Sequence, residues 1–475
     1  MSLTPPPSAS PLASSRLLLA LAAVLSGLLW LPALSTPFWG DDYGALGAAR
    51  LANQAGQSWW QTFFPATPLP FWRPLSQDAY WRLVESLGAG PRLAHVLNLV
   101  LLALAAAAVG LLGAALARAC AWPRAAAVGC AGGALYALLA LHFLPVHWAA
   151  AANSSLSVLC SALLLGAWLE AGQRRGGARA ALLLALPLLQ ALALLSKESA
   201  VLLPGLMLVL WLFAGRARPR RGEVLGWLAC ALVALAWLWL DRRIALNQDP
   251  AYQLRLGGNV LRNAVALGAW LLNIPREALR LALEGQAGRA ALWAAGIVLP
   301  LLLALGLAAW RGRWRPTPRQ GLLAAGFVGL AYAPYFLLAW NSYAYYAATA
   351  VVLPVLLLAR AVAGSRRAPL VLVLLGLSSL LAVEGSRRLE HPALVGRARW
   401  AQQVLDGLEP GQARAPLEVL VEDEQRFYAI GVPGLAWRLG LAPEQVRPVP
   451  ACTPQAGSCL RLGADGSASW LAPPP

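Results

Sequence analysis

Two adjacent carboxylates, Asp41 and Asp42, follow a long apolar segment in the stretch FWGDDYGAL at 38–46. Adjacent carboxylates repel each other, and this repulsion can raise the pKa of one of them toward the range useful for proton transfer. One carboxylate could therefore act as a general base or hold a metal ion while the other positions it. The alternative interpretation is that the pair caps a helix or solvates a loop, and within the pair either aspartate could be the base.

The second informative residue is Lys197, the only lysine among the 38 lysine and arginine residues of the chain. A compact ammonium and a planar guanidinium are not interchangeable, so a lone lysine in an arginine-rich chain predicts a specific role. Lys197 precedes Glu198 in LLSKESAVLLPG at 194–205. A local Lys–Glu pair that caps a span is the alternative, but ionisable groups at membrane depth are costly and usually functional.

The elements that must position these side chains are membrane helices. The chain has 475 residues, of which 59% are hydrophobic and 12% are charged, and its mean hydropathy is +0.59. Apolar runs of about 20 residues, the length of a membrane-spanning helix, recur along most of it. Because the bilayer core leaves no backbone polar group solvated, the sequence predicts an all-α polytopic membrane protein.

The net charge of +17 lies mostly in arginine clusters between apolar runs, such as those at 216–221 and 311–319. This distribution is the positive-inside pattern of membrane proteins, so the charge indicates topology and gives no support for nucleic-acid binding. With these clusters in the cytoplasm, the N-terminus lies inside and the C-terminus outside. About eleven spans are expected, at 16–36, 93–117, 125–142, 150–171, 180–196, 199–215, 223–241, 290–310, 320–338, 345–363 and 368–385.

The spans form a transmembrane module, 1–385, with long outside loops at 37–92 and 242–289, followed by a small outside domain at 386–475. The second loop is amphipathic and interrupted by Pro275, so we expect it to lie in the membrane interface or to re-enter the membrane.

The sequence also makes one prediction for each end of the chain. The first apolar run, from Arg16 to Leu34, is long for a signal peptide, which favours a retained anchor. Cys452 and Cys459 lie in the polar tail, and a disulfide between them is plausible if the tail is outside the cytoplasm.

Polar residues from several outward-facing hairpins share one side of the bilayer and could converge on a single cavity. They come from FWRPLSQDAYW (71–81), RLAHVLNLV (92–100), LPVHWAAAANSS (144–155), LLSKESAVLLPG (194–205), LDRRIA (240–245) and WNSYAYYAA (340–348). The candidate residues in these segments are Arg73, Asp78, His95, His147, Lys197, Glu198, Arg242, Arg243, Tyr343 and Tyr345.

With FWGDDY, these segments follow one another in an order that resembles the GT-C superfamily of integral-membrane glycosyltransferases. Within it, the resemblance is to the protein O-mannosyltransferases and the transmembrane–tetratricopeptide-repeat mannosyltransferases. There, an acidic pair follows the first span, a Tyr-Arg-Pro-Leu element precedes the second, Pro-Val-His joins the third and fourth, and Lys-Glu begins the sixth. The resemblance covers about residues 15–365 and implies inverting transfer of a sugar from a polyprenyl-phosphate donor to an acceptor hydroxyl on the outer face.

The resemblance also implies roles for the candidate residues. Asp41 or Asp42 would be the base. The leaving phosphate would be bound by Arg73, Lys197, Arg242, Arg243, Tyr343 and Tyr345, and the rest of the substrate by Asp78, His95, His147 and Glu198. The histidines could instead be structural hydrogen-bonding residues, and the tyrosines an interfacial belt. No metal-ligand spacing occurs in the sequence, although a divalent cation is compatible with this chemistry.

The sequence departs from the repeat-bearing branch at WAAAANSS, where small or neutral residues replace acidic and arginine positions, and in its tail, which has no repeat pattern. The sugar therefore stays open, as does the acceptor, whether protein, lipid or glycan. The composition favours a bacterial inner-membrane protein whose site faces the periplasm.

Two other classes of function remain alternatives. A transporter or flippase of a lipid-linked sugar would explain arginine and aromatic residues near the interface, but it gives no reason for adjacent aspartates. Transporters also tend to contain repeated halves, which the sequence does not show. A non-catalytic binding or assembly protein is the third class.

Overall fold

The computed structural model describes residues 11–65, 68–216, 218–247, 249–310, 316–339, 343–363, 365–389 and 395–471. Residues 311–315 of the arginine-rich segment and 340–342 of the turn before Tyr343 lie outside this described part. The helices up to residue 389 are α1 (Pro11–Trp30), α2 (Asp41–Gln54), α3 (Trp59–Phe63), α4 (Tyr80–Ser86), α5 (Pro91–Ala119), α6 (Ala125–Ala137), α7 (Phe143–His147), α8 (Ala152–Ala171), α9 (Gly176–Ser196), α10 (Leu203–Phe213), α11 (Arg221–Ile244), α12 (Gly258–Leu271), α13 (Arg276–Leu283), α14 (Ala287–Trp310), α15 (Pro318–Phe336), α16 (Val352–Val362) and α17 (Ala368–Arg388).

Among the described residues, seven helical segments are long and apolar enough to cross a membrane, and α6 with the bent segment Ala140–His147 would make an eighth. The expected count of eleven is therefore not confirmed. Two of the remaining expected spans coincide with shorter apolar helical segments, Glu198–Phe213 and Val352–Val362. At about 1.5 Å of rise per residue, the 11 residues of α16 cover roughly half of a hydrocarbon core about 30 Å thick.

Small residues let α5 and α6 approach each other closely. A Cβ atom at Gly129 would lie 2.7 Å from the carbonyl oxygen of Gly110, and one at Gly133 would lie 2.7 Å from that of Ala106. Close backbone approach through small residues is the usual way in which membrane helices associate without a hydrophobic driving force. Because α5 also packs along α8, this core holds the α6–α8 hairpin in place.

The second outside loop contains two helices with the break that the sequence suggested. Helix α12 ends at Leu271, and α13 begins at Arg276, directly after Pro275. Proline fixes its own φ angle and lacks an N–H donor, so it suits the start of a helix and not the interior. Neither helix is among the candidate membrane spans of the described residues, and the interfacial position of the loop stays a prediction.

Residues 395–471 form helices and a small mixed sheet that the sequence analysis did not predict. The elements are α18 (Val395–Asp406), β1 (Leu417–Val421), α19 (Glu424–Phe427), α20 (Gly431–Leu439), β2 (Val446–Pro448), β3 (Ser458–Leu462) and β4 (Ala468–Leu471). The strand order is β2-β1-β3-β4, with β1 parallel to β2 and β3, and with β4 antiparallel to β3. The disulfide between Cys452 and Cys459 is present, as anticipated.

This C-terminal region packs directly on the first outside loop. The backbone N–H of Gly40 donates to the carbonyl oxygen of Ala429 at 2.7 Å. The rings of Tyr43 in α2 and Trp437 in α20 lie 5.7 Å apart. The C-terminal region is therefore held against the residue that precedes the acidic pair.

Candidate active site

The acidic pair opens helix α2, and its two members face different surroundings. Gly40 has a φ of 60°, a left-handed conformation that glycine adopts without steric cost, and this turn lets the helix start at Asp41. Successive helical residues point about 100° apart. The side chain of Asp41 is exposed, whereas that of Asp42 is completely buried.

Asp42 joins the segment before α2 to the segment before α8 through backbone hydrogen bonds. Its Oδ2 accepts from the N–H of Trp39 at 3.1 Å, and its Oδ1 accepts from the N–H of Ala150 at 2.8 Å. Burial raises the pKa of the Asp42 carboxyl well above its ordinary value, and these two amides lower it in part. Both carboxylate oxygens are thus occupied in fixing the hairpin before α8 to the start of α2.

Asp41 lines a cavity of about 1680 Å³ between the first outside loop and the C-terminal region, and Asp78 lines the same cavity. Although the Asp41 side chain is open to the cavity, the surrounding walls desolvate its carboxyl and raise its pKa, and the positive charge of Arg73 lowers it in part. Burial also raises the pKa of Asp78, to about 7. The Oδ2 atom of Asp78 has no hydrogen-bond partner in the described part of the chain. The cavity thus holds two carboxyl groups with raised pKa values.

Arg73 connects the first outside loop to the turn after α9. Its Nε and Nη2 atoms donate to the two carboxylate oxygens of Glu198, each at 2.7 Å. Its Cζ atom lies 4.2 Å from the ring centre of Phe71, a residue that lines the cavity. A bidentate pair of this kind fixes the plane of the guanidinium, so Arg73 is held directly beside the cavity without lining it.

Lys197 is buried, with 4% of its surface exposed, and its ammonium lies over three tyrosine rings. The Nζ atom is 4.7 Å from the ring centre of Tyr345, 4.9 Å from that of Tyr346 and 5.7 Å from that of Tyr335. No hydrogen bond or ion pair joins this ammonium to another described residue. Burial lowers the pKa of Lys197 to about 7, an effect that Glu198 opposes and Arg73 strengthens. A pKa near 7 leaves this buried amine only partly protonated at neutral pH, and an approaching anion would favour its charged form.

A row of aromatic rings runs from the neighbourhood of Asp42 to that of Lys197. Trp39, next to Gly40, stacks on Trp148 with ring centres 5.0 Å apart. Trp148 lies 6.1 Å from Tyr343, and Tyr343 stacks on Tyr345 at 5.5 Å. Tyr343 and Tyr345 are therefore brought together with Lys197. The row extends to Trp39, whose N–H donates to Asp42.

Arg276 is a residue of this site that the sequence analysis missed. Its Cζ atom lies 4.6 Å from the ring centre of Tyr343. The proline break before α13 marked the position as the start of a helix, but nothing in the local pattern indicated a contact with a turn more than sixty residues later.

The structure does not bring Arg242 and Arg243 into the site. Both are exposed at the end of α11. The Cζ atom of Arg243 lies 3.8 Å from the ring centre of Trp239 on the same helix. No contact of either side chain with Lys197 or Arg73 is found in the described part.

The two histidines are buried among backbone groups. In His95, Nδ1 is 2.8 Å from the carbonyl oxygen of Val146, and Nε2 is 3.0 Å from that of Thr36. The Nδ1 atom of His147 is 3.0 Å from the carbonyl oxygen of Phe143. Its Nε2 atom is buried and has no partner among the described residues. His95 thus connects α5 to two outside segments, and neither histidine lines the cavity.

Among the described residues, no group of three or more His, Cys, Asp or Glu side chains could hold a metal ion.

No protein-family model and no curated protein sequence matches the chain. Among solved structures, apo ArnT from Cupriavidus metallidurans matches with a TM-score of 0.52 and 16% identity over 96% of this chain and 87% of that chain. ArnT from the same organism bound to undecaprenyl phosphate matches with a TM-score of 0.51 and 16% identity, over 92% and 90%. The oligosaccharyltransferase AglB from Archaeoglobus fulgidus gives a TM-score of 0.46 and 13% identity, over 89% and 63%.

Identity this low shows a common fold and leaves the GT-C resemblance, with its mannosyltransferase branch, a prediction. The chain therefore shares the fold of ArnT.

Proposed function

We propose that the chain is a membrane glycosyltransferase that moves a sugar from a polyprenyl-phosphate donor to an acceptor hydroxyl on the outer face of a bacterial inner membrane. The observation that carries this proposal is the pairing of an exposed carboxyl in a large cavity, Asp41, with two neighbouring cations, the half-buried Arg73 and the buried Lys197. The fold shared with ArnT supports it, since one ArnT structure is bound to undecaprenyl phosphate.

Asp41 would act as the general base. Its carboxylate takes the proton of the acceptor hydroxyl, whose oxygen attacks the anomeric carbon of the sugar. The bond between that carbon and the phosphate oxygen breaks, and its electron pair leaves with the phosphate. A single displacement inverts the anomeric carbon. A pKa raised by desolvation at the cavity wall makes a carboxylate a stronger base, which suits this step.

Lys197 would stabilise the departing lipid phosphate. Negative charge grows on the phosphate as the glycosidic bond breaks, and fixed cations in a dry site stabilise such charge strongly. The ammonium of Lys197 has no described anionic contact of its own. Arg73 keeps one terminal nitrogen, Nη1, outside its two hydrogen bonds with Glu198, and this nitrogen could donate to the same phosphate.

The remaining residues take supporting roles in the proposal. Asp42 positions Asp41 through the Trp39 and Ala150 amides. Tyr343 and Tyr345 wall the phosphate site, with Arg276 behind Tyr343 as a further cation. Asp78 contacts the acceptor, and Glu198 orients Arg73. The exposed Arg242 and Arg243 meet the membrane surface, His95 holds two distant segments together, and His147 contacts the backbone of its own helix.

The test is product formation from short-chain polyprenyl-phosphate sugars and a mixed acceptor extract, with the purified protein in detergent. Detergent leaves no compartments, so a transporter or flippase yields no product there. Asp41→Asn should lower the rate about 10²–10⁴-fold, the usual contribution of general-base catalysis. Asp249→Asn is the matched control, because Asp249 is an exposed loop aspartate outside the site. Full activity in Asp41→Asn would remove the mechanism.

A further inference from the structure

The cavity beside Asp41 has two walls from distant parts of the chain. One wall is the first outside loop, with Gln57, Phe71, Gln77 and Asp78, and the other is the C-terminal region, including Glu424 and the segment 427–431. Its volume of about 1680 Å³ exceeds the roughly 300–1,000 Å³ of pockets for drug-sized ligands. The space therefore suits an extended molecule of several units.

The charges that line this cavity are mostly negative. Its lining holds three carboxyl groups, those of Asp41, Asp78 and Glu424, and one basic side chain, that of Arg82. A phosphorylated or sulfated ligand would meet carboxylates here, and like charges brought together at an interface cost several kcal/mol.

Arg82 cannot offset this negative charge for a ligand, because its guanidinium is committed to the first loop. It donates to Oδ1 of Asn53 at 2.9 Å, to Oγ1 of Thr62 at 2.6 Å and to the carbonyl oxygen of Gln57 at 2.8 Å. Its Cζ atom also lies 4.7 Å from the ring centre of Trp59. Arg82 lines the cavity, but these contacts leave its positive charge unavailable to a ligand.

The other lining groups fit a polyhydroxylated, uncharged molecule. Carboxylates accept hydrogen bonds from hydroxyl groups, and amides both donate and accept. Oδ2 of Asp78 has no donor in the described part, and Gln57 and Gln77 are exposed. Aromatic faces at Phe71 and at Tyr428, which is 75% exposed, offer the flat apolar surfaces against which sugar rings can pack.

Tyr428 is held close to the base by the contact between the C-terminal region and the first loop. A Cβ atom at Gly40, the residue before Asp41, would lie 3.7 Å from the carbonyl oxygen of Tyr428. The N–H of Gly40 donates to the neighbouring carbonyl of Ala429 at 2.7 Å. A ring placed on Tyr428 would therefore lie within reach of Asp41.

We infer that this cavity binds the acceptor, that the acceptor presents an uncharged glycan, and that Tyr428 and Glu424 of the C-terminal region select it. The inference rests on the proposed function, because it assigns the acceptor of that reaction. The C-terminal region then forms one wall of the acceptor site. The carboxylates of this site bind hydroxyl groups and exclude anionic glycans.

The experiment is a binding measurement on a glycan array that carries neutral, phosphorylated and sulfated oligosaccharides. The full-length protein is fluorescently labelled and kept in lipid nanodiscs free of glycoside detergents, which would compete for the site. Signal should be confined to neutral glycans. Tyr428→Ala should weaken that signal at least about tenfold, the loss of one good aromatic contact, and Tyr428→Phe should retain it.

Charge selection is tested on the same array. Glu424→Gln should let anionic glycans bind several-fold more strongly, whereas Glu409→Gln, which removes an exposed carboxylate of the same region outside the cavity, should not. Signal confined to anionic glycans, or no glycan signal at all, would overturn the inference.

Release of lipid phosphate from short-chain donors, measured in parallel, separates the two levels of the account. Donor turnover with only anionic glycans or peptides as acceptors would leave the proposed function and remove the inference. Neutral-glycan binding without any donor turnover would remove glycosyl transfer and leave a neutral-glycan site.

Discussion

Lys197→Met should separate catalysis from stability. Methionine has nearly the length of lysine without its charge, and its thioether packs well on aromatic rings. The substitution gives up a cation–π contact worth up to about 2 kcal/mol. It also removes a charge that is only 4% exposed and has no described ion-pair partner. Since a buried unpaired charge is itself costly, the free energy of unfolding should change by less than about 1 kcal/mol or should rise.

The catalytic loss in Lys197→Met follows from the same burial. A charge-assisted hydrogen bond is worth about 1.5–3 kcal/mol, and removal of one preorganised donor from a dry transition-state site costs about 10²–10³-fold in kcat. We expect kcat/KM for a short-chain donor to fall within that range. The assay is lipid-phosphate release in detergent, alongside thermal unfolding of the same preparation.

Two results would refute this reasoning. Unchanged turnover in Lys197→Met would show that the ammonium does not meet the leaving phosphate. A fall in melting temperature that parallels the fall in turnover would show that Lys197 is structural. Lys197→Arg is the informative comparison, because it keeps the charge but must fit a larger, planar group among three rings at 4.7–5.7 Å, so its rate should lie between those of the wild type and the methionine variant.

Three further predictions concern stability and acceptor binding. Asp42→Asn should lose about 1–3 kcal/mol of stability, because an amide NH₂ replaces one oxygen that now accepts from a buried backbone N–H; chemical denaturation measures this, and an unchanged midpoint would contradict it. The acceptor KM should fall as the pH rises through about 7, where Asp78 becomes an ionised hydrogen-bond acceptor; Asp78→Asn should abolish that dependence, and a retained profile would assign it to another group. Gly129→Ala should destabilise the protein by about 1–3 kcal/mol, because its Cβ atom would lie 2.7 Å from the Gly110 carbonyl oxygen; Gly177→Ala, with nothing within 4 Å, is the control in the same thermal-unfolding measurement, and equal melting temperatures would count against this packing.

The sequence predicted those parts of the molecule that composition and local pattern decide. Apolar runs predicted membrane helices, and Pro275 predicted the break between α12 and α13. The lone lysine pointed to Lys197, and its burial over three tyrosine rings fits a specific role. These features depend on one residue type or on about twenty consecutive residues, so no tertiary information was needed.

Other parts depend on contacts between distant segments and were not predictable. Two features decide which aspartate faces the cavity. One is the rotation at which α2 begins after Gly40, and the other is the hydrogen bond from the Ala150 amide, more than a hundred residues away, to Asp42. The ring nitrogens of His95 lie beside two carbonyl oxygens that no local pattern connects to it, and Arg276 reaches Tyr343 only through the folded second loop. The count of eleven spans is not confirmed, and apolar composition alone does not reveal where a helical segment such as Val352–Val362 is short.

The central claim is that Arg73, Lys197 and Asp41 face one reacting sugar phosphate. A cryo-EM structure with a non-hydrolysable polyprenyl-phosphonate sugar tests it most directly. The account predicts phosphonate oxygens within about 3.2 Å of the Lys197 ammonium, and a sugar whose anomeric carbon faces the cavity at Asp41. Phosphonate density away from Lys197 and Arg73, or a sugar turned away from Asp41, would contradict it.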